Sequence, residues 1–106
     1  MTIKRHPARH IHFAAVSAAS LPHLPTLLQH WLPDGRAIGG EWIARNPTRN
    51  DRRPGSFKIN MSTGRWADFA TNDAGGDVVS LFAYLNGLSQ LEAARTLIAK
   101  WGLQND

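Results

Sequence analysis

Five cations and one indole hold most of the chemistry this chain can offer. Arg49, Arg52 and Arg53 lie in a stretch from Thr48 to Gly55 with almost no apolar side chain. Lys58 and Arg65 follow on either side of a Ser62-Thr63-Gly64 turn, and Trp66 comes directly after the second of them. Guanidinium and ammonium groups neutralise phosphates and release counterions, which gives salt-dependent and sequence-tolerant binding. An aromatic ring beside them offers a face on which an unpaired base can stack. Arg49, Arg52, Arg53, Lys58, Arg65 and Trp66 are therefore the candidate nucleic-acid-binding residues. Trp66 also has a structural use, because an indole on a half-buried strand gains most by facing the core. The arginines have Asp51 and Asp68 nearby as local partners.

Other chemistries lack their residues. The eight acidic side chains are scattered, so no carboxylate cluster can hold divalent metal for polymerisation. No Ser-His-Asp or Cys-His arrangement has a usable spacing, and the chain is not expected to be an enzyme. Without cysteine it has neither a disulfide framework nor a thiolate zinc site. His6, His10 and His12 sit in a segment without a scaffold, and neither a metal nor a cofactor is expected. Gly75-Gly76-Asp77 imitates a phosphate loop, but no Gly-Lys-Ser/Thr follows and Asp77 puts negative charge where the phosphate would sit. It reads as a helix cap instead.

The elements that must position the cations belong to a small protein. At 106 residues the chain has room for one modest core. Its 42% hydrophobic and 19% charged residues are ordinary for a globular domain. The net charge of +4 is unevenly spread: seven basic residues from Arg36 to Arg65 face only Glu41 and Asp51, and the balance reverses after Arg65. That pattern points to one cationic face and a polyanionic partner. No stretch is apolar and long enough to span a membrane, and a cytoplasmic protein is expected. Residues 1–20 read as a flexible basic leader and 21–106 as a single domain.

Leu24, Leu27, Leu28, Trp31 and Leu32 recur at helical spacing, and Pro33-Asp34-Gly35 ends that helix. Glu41 to Arg45, Ser56 to Asn60 and Arg65 to Ala70 read as strands, the last two forming a hairpin. Asp77 caps a helix through Leu85 that Asn86-Gly87 closes. Ser89 and Glu92 form a capping box for a second, with Leu91, Ala94, Leu97, Ile98 and Trp101 as its buried stripe and Gly102 at its end.

The order of these residues resembles the zinc ribbon of bacterial and phage DNA primases and of mobile-element primase-helicases. The residues that carry it are Asn46-Pro47, the basic loop, Pro54-Gly55-Ser56-Phe57, the hairpin turn, Ala74-Gly75-Gly76-Asp77, and the tail through Leu88-Ser89-Gln90 to Trp101-Gly102-Leu103. In that family a Cys-Pro, a following His and a Cys-x-x-Cys bind the metal. The resemblance places those ligands near Asn46, Arg49, Phe69 and Asn72, none of which replaces a thiolate or imidazole. A structural zinc is worth on the order of 10–16 kcal/mol in such modules, so other contacts must offset its loss. Trp42, Phe57, Trp66, Phe69 and the helices supply apolar area for that.

The expectation is an α+β domain. A small three-stranded antiparallel sheet with a ribbon-like hairpin is packed by one amino-terminal and two carboxyl-terminal helices. The resemblance implies an accessory module that binds single-stranded or primed DNA without a metal. The alternative is a module that docks on a replication or mobile-element protein through its helices.

Overall fold

The computed structural model describes residues 11–49 and 55–103. Helix α1 (Phe13–Ser20) runs through a 3-10 turn (Leu21–His23) into α2 (Leu24–Trp31). Five strands follow: β1 (Arg36–Ile38), β2 (Glu41–Ala44), β3 (Phe57–Asn60), β4 (Trp66–Asp68) and β5 (Asp73–Gly75). Helices α3 (Val78–Asn86) and α4 (Gln90–Trp101) complete the described chain.

The sheet is an antiparallel meander in the order β1-β2-β3-β4-β5. This corrects the expected three-stranded sheet, although the α+β class holds. The two additional strands are three-residue edges whose sequences carry little strand signal. β1 exists because Gly39 and Gly40, with φ of 57° and 83°, turn the chain back onto β2. Two consecutive positive φ values are the backbone requirement of a tight hairpin turn, and glycine meets it without steric cost. β5 is Asp73-Ala74-Gly75, residues depleted in strands. It forms because a turn brings it back onto β4, with Asn72 at φ 67° and its N–H donating to the Asp68 carbonyl at 2.8 Å.

The amino-terminal part also differs from expectation. Phe13–Ser20 of the expected leader are helical, with Val16, Ser17 and Ser20 buried. The Ser17 hydroxyl accepts the Val79 N–H at 3.2 Å and so satisfies a free donor in the first turn of α3. Residues 1–10 lie outside the described residues.

The carboxyl-terminal helices start and stop where the sequence places them. Asp77 accepts the Ser80 N–H at 2.9 Å, Ser89 and Glu92 close a reciprocal capping box, and Gly87 and Gly102 end the helices in the left-handed conformation. The stripe of α4 is shifted from the expected one. Leu91 is 39% exposed, while Ala93, Ala94 and Leu97 are buried.

Two apolar clusters meet on α2 and α3. Leu24, Leu28, Val78 and Leu81 pack on the inward side of the sheet against Trp42, Ala44, Phe57, Ile59 and Trp66. Leu27, Val79, Phe82 and Ala83 turn the other way, toward Val16 of α1 and Leu97 of α4. Trp42 joins helix to sheet, its indole Nε1–H donating to the Leu32 carbonyl at 3.1 Å beside the end of α2. Gly35 lies against that indole, and a Cβ there would run into Trp42 Nε1 and within 2.9 Å of Ala44 Cβ and the Ile43 carbonyl. Gly35→Ala should lower stability by about 1–3 kcal/mol, the usual cost of overpacking. Urea unfolding followed by tryptophan fluorescence measures it, and an unchanged midpoint would show that the indole is not held there.

Candidate nucleic-acid interface

Strand alternation sends Trp42, Ala44, Phe57, Ile59, Trp66 and Asp68 to the helices, and their neighbours to the opposite face. The register aligns those neighbours in rows. One row runs Arg36, Ile43, Lys58, Ala67 and Ala74 across the five strands. The next runs Ile38, Glu41 and Asn60, and continues to Arg65 beside the hairpin turn. No residue in either row is buried, so the described chain leaves this face uncovered.

The uncovered face is concave on the side of β4 and β5. Ala67 and Ala74 keep the floor low, and Lys58, Asn60, Arg65 and Phe69 stand around a depression of about 460 Å³. Phe69 is 67% exposed. The Lys58 ammonium lies 5.7 Å from the centre of its ring, within cation–π range. Cations and an open aromatic face thus share one hollow.

Behind the sheet is a polar cluster at the end of β2. Asn46 is 1% exposed and Asp68 is fully buried. The Asn46 amide donates to Asp68 Oδ2 and to the Tyr84 hydroxyl, each at 2.8 Å. Its carbonyl oxygen accepts the Thr48 N–H at 2.9 Å and the Thr48 hydroxyl at 2.7 Å, which uses its full hydrogen-bonding capacity. Asp68 Oδ1 takes the Ala70 N–H at 2.9 Å, Arg49 Nε donates to Asp68 Oδ2 at 3.2 Å, and Tyr84 donates on to Asp73 at 2.7 Å. Burial by itself would raise the Asp68 pKa. The donors Asn46, Ala70 and Ser56 and the Arg49 charge outweigh it and hold the carboxyl below its ordinary value of 3.8.

The expected site residues divide among these regions. Lys58 and Arg65 lie together on the uncovered face. Trp66 borders the depression but is 6% exposed, faces the helices, and donates its Nε1–H to Ser80 Oγ at 2.9 Å. Of the two roles the sequence offered it, packing fits this placement and stacking on a base does not: its ring lies 4.5 Å from that of Tyr84. Arg49 is partly exposed and bonded to Asp68, away from Lys58 and Arg65. Arg52 and Arg53 lie outside the described residues. Sequence reasoning missed Phe69 as a surface aromatic and placed it among the packing residues. The signal was present, because an inward Trp66 makes Ala67 and Phe69 outward by alternation. It missed Arg36 because β1 was not recognised.

The positions that the resemblance assigns to metal ligands do not fit a zinc ion. Arg49 brings a cation, Phe69 has no donor atom and points to solvent, and Asn72 serves the turn. Among the described residues no group of three His, Cys, Asp or Glu side chains is placed to hold a metal. Hydrogen bonds from Asn46 and Arg49 to Asp68 join the segments a metal would have joined. No protein-family model, curated protein or solved structure matches the chain.

Because the Asp68 pKa is depressed in the fold, its stabilisation is complete above the ordinary value of 3.8 and is lost as pH falls through the lower folded value. Asp68→Ala should cost about 2–4 kcal/mol at pH 7, since it strands a buried amide and removes an ionic acceptor. The difference from the native protein should narrow below pH 4 in chemical unfolding. A pH-independent difference would remove the carboxylate from the account. Chelator should leave the melting temperature unchanged, and a fall of several degrees would restore a structural metal.

Proposed function

We propose that the chain binds single-stranded DNA, without base-specific requirement for the bulk of its affinity, through the uncovered face of its sheet. The observation that carries this reading is the hollow between Lys58, Arg65 and Phe69. Each part fits one component of a single strand: Lys58 and Arg65 the phosphates, with Arg36 further along the face, and the Phe69 ring an unstacked base. A duplex fits less well, since its bases are already stacked and a shallow hollow does not enter a groove. The Phe69 N–H donates to the Ser56 carbonyl at 2.9 Å, so the ring borders the carboxyl-terminal end of the basic loop. Arg52 and Arg53 of that loop remain in the proposed set as additional phosphate contacts, whereas Arg49 is committed to Asp68. The reading makes the chain a cytoplasmic binding module related to primase zinc ribbons, with no catalytic step and no cofactor of its own.

One observation favours the second reading, a protein–protein docking module. The indole N–H of Trp31 is buried without an acceptor among the described residues. It belongs to a groove of about 570 Å³ between α2, α3 and α4, with Phe82, Leu85, Leu88 and Trp101 along it. Apolar side chains of a partner would fill that groove.

Fluorescence anisotropy with labelled dT20 across a salt series separates the two. The native protein should show steeply salt-dependent binding. Lys58→Glu/Arg65→Glu should reduce the slope of log K against log salt by about 1.4, two contacts at about 0.7 each for single strands. Phe69→Ala should weaken binding by about 1–3 kcal/mol. Undetectable binding at low salt would leave the docking module as the better reading.

A further inference from the structure

A phosphate-binding face gains nothing from a carboxylate, yet Glu41 stands in the middle of this one. It faces outward from β2 and forms no ion pair or hydrogen bond with the described residues. Its cross-strand partner in the register is Asn60, also outward. The Asn60 side chain is oriented by the hairpin turn: its Oδ1 accepts the Ser62 N–H at 2.8 Å and the Thr63 N–H at 3.0 Å. The carbonyl oxygen is thereby occupied, and the NH₂ is left as a donor. Directly opposite side chains on paired strands are about 5 Å apart, so an acceptor-only carboxylate and a fixed amide donor lie side by side. On the other flank of Glu41, its register partner Ile38 is 49% exposed and offers an apolar surface. The row reads apolar platform, acceptor, donor, cation.

We propose that this row selects guanine among the bases of a bound single strand, an inference that rests on the sheet face being the DNA-binding surface. A carboxylate only accepts, and guanine is the base whose pairing edge presents two adjacent donors, N1–H and the N2 amine. Both point to the Glu41 oxygens while O6, the next atom on the same edge, takes the Asn60 N–H. Adenine and cytosine each present one amine beside a bare ring nitrogen, which a carboxylate repels. Thymine presents one N–H between two carbonyl oxygens. The purine ring lies on Ile38, and Arg65 at the far end of the row takes a neighbouring phosphate. Glu41 and Asn60 thus add selectivity at one nucleotide to a face that otherwise holds the backbone and stacks any base on Phe69.

The test compares labelled dT12 with the same strand carrying one central dG, a single guanine so that no quadruplex forms. A further strand carries inosine there, which keeps N1–H and O6 but lacks the N2 amine. The native protein should bind the dG strand at least about tenfold more tightly than dT12, the discrimination expected of a bidentate base contact, with inosine in between. Glu41→Gln, an isosteric change at a half-buried position, should bring the three strands within about twofold of one another. Equal affinity of the native protein for dT12 and the dG strand would overturn the guanine assignment and leave the sheet-face reading standing. A dG preference that survives Glu41→Gln would overturn the assignment to Glu41. Failure to bind any of the three strands would overturn the interface itself.

Discussion

A single buried carboxylate ties the basic loop, the sheet and α3 together. Asp68 lies on β4, and its bonds reach Asn46 after β2, Arg49 in the basic loop and Ala70 in the turn to β5. Through the Asn46 amide the cluster extends to Tyr84 on α3, and from there to Asp73 on β5. An ionised group without solvent is costly unless every lone pair is used, and here directed donors meet both oxygens. Removing one partner leaves the others buried and unsatisfied, so the cluster acts as a unit. That is how a small domain can tie loop, sheet and helix together with polar groups where a modest core cannot.

The aromatic packing around this cluster makes it directional. Trp66, two residues before Asp68, packs its ring 4.5 Å from Tyr84 and 6.2 Å from Phe57. The same strand therefore presents one indole and one carboxylate to the helices, and both are bonded to α3, the indole directly through Ser80. Gly75 permits this closeness, because a Cβ there would meet both Ser80 Oγ and the Trp66 indole. Gly75 is explained by its packing against Trp66, and Asp77 by the cap that it forms on α3. Neither explanation needs an anion.

Much of this was legible in the sequence where local chemistry decides. The ends of α3 and α4 follow from Asp77, Gly87, the Ser89–Glu92 box and Gly102, each of which acts within a few residues. The central strands follow from alternation. The edges were not legible, because Arg36-Ala37-Ile38 and Asp73-Ala74-Gly75 become strands through pairing with a neighbour rather than by propensity. Helix α1 was hidden for a related reason: its alanine-rich sequence has little amphipathic pattern, and burial of Val16 and Ser17 against α3 and α4 fixes it. At the site, Lys58 and Arg65 share the uncovered face and Trp66 takes the core position that the sequence offered beside the stacking one, whereas Phe69 was read as packing and lies outward. Both are aromatic residues near the hairpin, and only the register says which one faces inward.

The register of β4 links the buried side of the sheet to its open side. On β4 and its extension, Trp66 and Asp68 point to the core, and Arg65, Ala67 and Phe69 point to the uncovered face. A slip of one residue would turn every side chain to the other face, burying Arg65 and Phe69 and exposing the carboxylate. The hydrophobic pattern alone resists this weakly, since both sets contain an aromatic residue. Asp68 resists it strongly, because its donors Asn46 and Arg49 lie on another segment of the chain and cannot follow the slip. The electrostatics of the hidden face thereby fix which residues appear on the open one. The uncovered face contributes little to that core, so its rows of cations, small residues, aromatic ring and carboxylate are not set by packing.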